Sequence, residues 1–505
     1  MSTSSPSATP QLDDKVRWRA FGVAVAVAAL TILDLSKVNV GLPSIEKSLG
    51  AGPTELQSIV AGYALAFGLS LVPAGRLGDI HSRRTLFLIG LSAFTVTSLA
   101  CALAPNSTIL IVSRFLQGLA AGIQMPQVLG LIQQLFQGAE RGRAFGLFGS
   151  IIGLSTAFGP TIGGLLIAVG GEENGWRLLF WMNIPFGILL LVLAARLLPK
   201  RHKRADQTLG LDPVGVILLG IAVFTLMLPF VLTTGEPSDD PRRWFFLLLT
   251  ALTAAAFVWW ERRYARTGRS PAVNFGLFRR ASYRNGLLIA MVYFGALPAS
   301  FLLTTLYLQE GLKLLPVFAG MVTIPFALVS AVTAYIGGRL VDKRGRSLVV
   351  MGLAIVIVGF ALDVAAAVLS PPELTPYLMA AALAVAGFGG GFVVSPNQTL
   401  TLAEVPVSEG GVAGSMAQVG QRVGTAIGVA AASATFFATL YAEGDRSNQL
   451  SVYHDGFRNG IAVSIGLILL ALVLGSLDLL QRKRGERTGS AEDADAEEPS
   501  EQTAS

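Results

Sequence analysis

Charge is what this sequence has least of. Only 14% of its 505 residues are Asp, Glu, Lys or Arg, against about 25% in soluble domains. It has a single cysteine, Cys101, which excludes a disulfide framework and a cysteine metal site. It has three histidines, His81, His202 and His454, all outside the apolar runs. If protons cross these runs, carboxylates must carry them. No P-loop, HExxH or GxSxG pattern occurs, so an ATP-driven pump lacks support. An intramembrane enzyme would need a nucleophile–base or metal set, and none is visible. The glycines Gly387 and Gly389 to Gly391 fall inside an apolar run, where they pack helices and cannot cradle phosphate. No cofactor and no metal are expected.

What the chain does have is hydrophobic length. Hydrophobic residues make up 52% of it, gathered in runs of about 20, the length that spans a hydrocarbon layer. Fourteen such runs lie between residues 18 and 480. Their unbroken apolar character, without in–out alternation, excludes a transmembrane barrel. The fold class is therefore an all-α polytopic membrane protein of fourteen transmembrane helices in a lipid bilayer. The net charge of +6 does not point to nucleic acid, because Lys and Arg cluster in short loops between spans. Alternate loops hold most of them, among them Arg76, Arg83, Arg84, Arg141, Arg143, Arg339, Lys343 and Arg344. The positive-inside rule then places both termini in the cytoplasm. The first 17 residues are polar, and the first apolar run is too long for the core of a cleavable signal.

Two charged clips organise the runs. The first reads GRLGDIHSRR, Gly75 to Arg84, and the second GRLVDKRGR, Gly338 to Arg346. Each follows the second span of a six-span set if spans 7 and 8 are counted as extra. The chain therefore divides into a cytoplasmic tail 1–17, a six-helix half 18–197, a linker 198–283 with two inserted helices, a second six-helix half 284–480, and a tail 481–505. Asp212-Pro213 is a good helix-opening pair. LFRR at Leu277 to Arg280 suits an interfacial helix with a basic face, and the acidic tail from Ala491 is expected to be disordered.

Charges inside spans need a partner or a purpose, since each costs about 2.5–3.5 kcal/mol on insertion scales. Asp34 and Lys37 stand three residues apart in span 1, on one helical face. Arg114 in span 4 comes to a similar depth, roughly 9 Å below the outer boundary. The set is either a structural ion pair with Lys37 snorkelling outward, or a proton-coupling site of Asp34, Arg114 and Lys37. Asp363 in span 11 is a further outer-third carboxylate. Span 5 carries Gly153, Gly159, Pro160, Gly163 and Gly164, a small-residue face with a proline, read as a tight packing helix with a hinge. Asn39, Gln117, Gln418 and Arg422 are candidates for lining a central substrate cavity. The repeated clip spacing suggests a gating latch built from Gly75, Asp79, Arg83, Arg84, Gly338, Asp342 and Arg346, in which each Asp caps the next helix or pairs with clip arginines.

These motifs, in this order, resemble the major facilitator superfamily, and within it the fourteen-span drug:proton antiporter branch of multidrug-efflux type. The first clip is similar to the loop signature between spans 2 and 3, with Ser82 where the pattern has Gly; the second copy keeps Gly345. Arg114, Gln117 and Gly118 resemble the span-4 motif whose arginine is implicated in proton coupling. Gly159-Pro160 with Gly163-Gly164 resembles the antiporter motif of span 5. Asp34, Asn39 and Pro43 match the span-1 signature, and Trp176-Arg177 with Asn183 and Pro185 the start of span 6. Lys37 is a departure, and it raises the question of whether Asp34 titrates or Lys37 favours anionic substrates. The resemblance implies a secondary transporter of the plasma membrane, working as a monomer, that exchanges protons for small amphipathic organic compounds by alternating access. Export of an endogenous metabolite, lipid or self-made antibiotic is the alternative. A transport-dead sensor on the same fold would need a sizeable signalling domain.

Overall fold

The computed structural model describes residues 13–199, 212–233, 240–267, 271–443 and 449–496. Fourteen of its helices are long and apolar enough to cross a membrane. We number them α1 Asp14–Leu49, α2 Pro53–Ile80, α3 Arg83–Ala102, α4 Ser107–Leu135, α5 Gly138–Trp181, α6 Asn183–Leu197, α7 Pro213–Val231 and α8 Phe246–Arg266. The remainder are α9 Ala281–Leu306, α10 Ile324–Arg344, α11 Arg346–Leu369, α12 Thr375–Leu402, α13 Gly410–Glu443 and α14 Gln449–Ala496. No strand occurs among the described residues.

Local chemistry sets the helix ends. Ser82 accepts from Thr85 N at 3.3 Å and Asn106 from Ile109 N at 2.9 Å, opening α3 and α4; each satisfies an amide the helix leaves orphaned. Asp212 accepts from Gly215 N at 3.0 Å and also from the Trp260 indole at 2.9 Å, which ties α7 to α8. Helix α1 does not stop at Pro43 but runs to Leu49. The path from α5 to α6 turns at Gly171, φ 81°, rather than at Pro160. LFRR forms a single turn, Gly276–Arg279, with Leu277 buried. The tail expected to be disordered from Ala491 continues in α14 to Ala496, and residues 497–505 lie outside the described set, as do 1–12 and most of the linker before Asp212.

The first half packs α1 on α5, α2 on α4 and α3 on α4; the second packs α11 on α12, α10 on α12 and α9 on α13. The halves meet through two equivalent helix pairs, α2 with α13 and α5 with α10. The pair α7–α8 is not part of either half: α7 leans on α2 and α13, while α8 leaves Leu248, Leu252 and Trp259 exposed.

The clip glycines make the two cross-half contacts possible. A Cβ on Gly75 would stand 2.2 Å from Ser415 Oγ and 2.7 Å from the Gly411 carbonyl; one on Gly338 would stand 2.4 Å from the Gly142 carbonyl. Backbone that close excludes any side chain. Gly75→Ala and Gly338→Ala are each expected to cost about 1–3 kcal/mol by overpacking, read as a lower melting temperature in detergent. Gly153→Ala, whose Cβ would meet nothing within 4 Å, should leave melting unchanged or raise it.

Candidate functional site

Three helices converge on one carboxylate. Asp34 of α1 is fully buried and accepts from Arg114 Nη1 of α4 at 2.8 Å and from Asn183 Nδ2 of α6 at 2.6 Å. Lys37, one turn on, lies 3.4 Å from the same carboxylate and donates to Asn183 Oδ1 at 2.6 Å. Asn183 therefore bridges acid and amine, giving with one end of its amide and accepting with the other. The network continues inward: Arg114 Nη1 donates to Gln117 Oε1 at 2.7 Å, and Gln117 Nε2 to Ser98 Oγ at 2.7 Å. The Arg114 guanidinium also stacks on Tyr63, 4.1 Å from the ring centre.

Lys37 does not snorkel; it is buried to 0% exposure beside the carboxylate. The reason is steric and electrostatic together. Gly163 of α5 brings a backbone face against Lys37, a Cβ there lying 2.9 Å from the Lys37 carbonyl, and Gly159 does the same at Ser36. Closing α5 onto α1 shuts the outward path, and the Asp34–Asn183 pair compensates the ammonium. One carboxylate thus faces two cations in a water-poor site. Displacing Arg114 from Asp34 would change how firmly the acid holds a proton.

Sequence reasoning missed Asn183 and Ser98 as members of this cluster. Asn183 is legible only in hindsight, as a lone amide opening a run of apolar residues. Asp363 of α11, also fully buried, accepts one hydrogen bond among the described residues, from Thr304 Oγ1 at 3.5 Å, and its Oδ1 has no hydrogen-bond partner among them.

The clips differ from each other more than their sequences do. Asp79 accepts from Arg83 at 2.7 Å and from the amides of Gly411 and Val412, at 3.1 and 3.0 Å, which open α13 in the other half. Arg83 also donates to the Gly130 carbonyl at 2.6 Å and the Val407 carbonyl at 2.7 Å, while Arg84 donates to the Ala195 carbonyl. Asp342, in contrast, is exposed, and it neither caps a helix nor pairs with a clip arginine. Arg346 turns instead to Asp478 of α14 at 2.6 Å and to Asn397 of α12. The first turn of α5, where Asp342 would need to bind by analogy, already carries Glu140, so a second carboxylate there would be repelled. Ser82 sits in extended backbone, φ −157°, as a helix cap, whereas Gly345 adopts φ 50°.

The four residues expected to line a cavity do not come together. Gln117 belongs to the Asp34 network and Asn39 is exposed on α1. Gln418 is buried, and half-buried Arg422 lies over the Phe67 ring of α2, 4.6 Å from its centre. A narrow cleft opens instead among α9, α12 and α13, lined by Tyr293, Asn397, Gln398, Thr401 and Gln421 among others.

Comparison with known proteins decides the family. The Major Facilitator Superfamily profile matches residues 24–429. The chain belongs to the Major Facilitator Superfamily. A protein named probable actinorhodin transporter from Streptomyces coelicolor is 34% identical over 85% of this chain and 74% of its own length. A protein named puromycin resistance protein pur8 from Streptomyces alboniger is 33% identical over 96% of both chains. Among solved structures, the proton:xylose symporter XylE superposes with a TM-score of 0.61 at 16% identity, over 92% of this chain and 95% of its own, a likeness of fold. As a member of this superfamily the chain is a multi-pass secondary transporter of small molecules and not an enzyme.

Proposed function

We propose that this superfamily member is a proton-coupled exporter of amphipathic organic compounds, with the clips and both termini in the cytoplasm of the plasma membrane, working as a monomer. The single observation that supports the coupling is the buried Asp34, whose hydrogen-bond and ion-pair partners among the described residues are Arg114, Lys37 and Asn183. The names of the two relatives support drug or antibiotic export as the direction of transport. Side-chain hydrogen bonds between the halves gather at the clip end, where Asp79 and Arg83 reach across to Gly411, Val412 and Val407. In the proposed orientation this is a carrier shut toward the cytoplasm. Rocking of the halves about the α2–α13 and α5–α10 pairs, with Pro160 and its flanking glycines as the hinge, would open it.

The energetics suffice. One proton falling through about 100 mV releases about 2.3 kcal/mol, enough at 1.4 kcal/mol per tenfold for roughly a 40-fold outward gradient. The test is reconstitution into liposomes with an imposed pH gradient. Substrate flux should reverse when the gradient is reversed; flux indifferent to it would sink the coupling.

A further inference from the structure

We propose that Arg422 is the anion-binding residue of the substrate site, and that the exported compounds include planar aromatic acids. This rests on the exporter reading and names its substrate class.

Arg422 lies twelve residues into α13, which starts at Gly410, roughly 18 Å along the helix and so near the middle of the bilayer. A cation at that depth needs a reason. Among the described residues none pairs with it: no carboxylate is within ion-pair range and no hydrogen bond engages it. Its contact is the face of Phe67. The five guanidinium donors are thus unspent, and the residue is only half-buried.

The nearby charged cluster is net positive. Asp34 is occupied by Arg114, Lys37 and Asn183, a cluster with one negative and two positive charges. It communicates with Arg422 through a column of stacked groups. Arg114 lies on Tyr63, Tyr63 is parallel to Phe67 with centroids 6.2 Å apart, and Phe67 carries Arg422. The column crosses from the first half to the second. A cationic substrate would meet uncompensated positive charge here, whereas a carboxylate or phenolate would supply the missing counter-ion. Flat guanidinium over a flat ring also favours a third planar group.

Gln421, the neighbour of Arg422, lines a narrow cleft among α9, α12 and α13, which would have to widen to admit a small molecule. Tyr293 lines the same cleft, and its hydroxyl is buried without a hydrogen-bond partner among the described residues.

Matched xanthene dyes test this, because fluorescein is an anion and rhodamine 123 a cation on one scaffold. Each is titrated by fluorescence anisotropy against the full-length protein in nanodiscs, with no gradient present. Fluorescein should bind at least tenfold more tightly than rhodamine 123. Arg422→Gln should weaken fluorescein at least tenfold with little effect on rhodamine 123, while Arg422→Lys keeps the preference for the anion. Elution as a single species checks each variant, and Arg422→Lys serves if the Gln variant misfolds. Preference for rhodamine 123, no fluorescein binding, or equal fluorescein affinity in Arg422→Gln overturns the proposal. Fluorescein bound in the expected way but not moved by a pH gradient would sink the proton-coupled exporter and leave the anion site standing.

Discussion

Asp34→Asn should reduce gradient-driven flux to the leak of protein-free liposomes. The substitution preserves shape while removing the one negative charge that faces Lys37 and Arg114, each fully buried. Breaking a buried pair by deleting one partner costs about 3–5 kcal/mol, because the remaining charge is left uncompensated. A loss of flux could therefore reflect misfolding alone. The double variant Asp34→Asn with Lys37→Met separates the two. Dropping one cation should restore much of the melting temperature, since it lowers the stranded charge from two to one, yet flux should stay at background because no proton carrier has returned. Wild-type coupling in Asp34→Asn would show that the cluster is purely structural. Recovery of coupled flux in the double variant would move the coupling to another carboxylate, with Asp363 the first to examine.

Architecture was legible in the sequence because the bilayer imposes it. A run of apolar residues about 20 long has few alternatives to a spanning helix, so fourteen runs gave fourteen helices and the clip spacing gave the inserted pair. Meeting points inside the membrane were partly legible. The three-residue step from Asp34 to Lys37 fixes one face whatever the packing, and Arg114 comes to a similar depth, hence the contact. Asn183 was not legible as a bridge, because its place depends on how α6 starts after the break at Gly171, a tertiary outcome. The cavity residues were the least legible. Gln117 and Gln418 are polar residues in apolar runs like any cavity residue, but interior hydrogen bonding claims such groups as readily as a substrate does. The cleft is instead lined from α9, α12 and α13, helices whose mutual rotation no local pattern encodes. The tail past Ala491 is acidic, which suits disorder, yet it extends a helix already begun in the apolar run, and continuing a helix costs far less than nucleating one.

The same distinction governs the clips, where near-identical sequences should give unequal losses. Asp79→Ala removes an acceptor from Arg83 and from two amides at the start of α13, where the helix dipole also favours a negative charge. Charge-assisted bonds of this kind contribute about 1.5–3 kcal/mol each. Losing even one net equivalent shifts the closed–open balance of the clip end at least tenfold at 1.4 kcal/mol per decade. Initial transport rates should fall by about that factor or more at equal expression, and a cysteine placed in the clip-end interface should become more reactive to a water-soluble maleimide. Asp342 is exposed and carries none of these bonds, so Asp342→Ala should change the rate by less than about twofold, as surface substitutions do. The working counterpart in the second half is Arg346 with Asp478, which tethers α11 to α14 within that half and does not reach across to the first. Asp478→Ala should therefore lower the melting temperature strongly without the gain in maleimide reactivity that marks Asp79→Ala. Equal losses from Asp79→Ala and Asp342→Ala would mean that the second clip engages α5 in another state of the cycle and that the two clips share the gating.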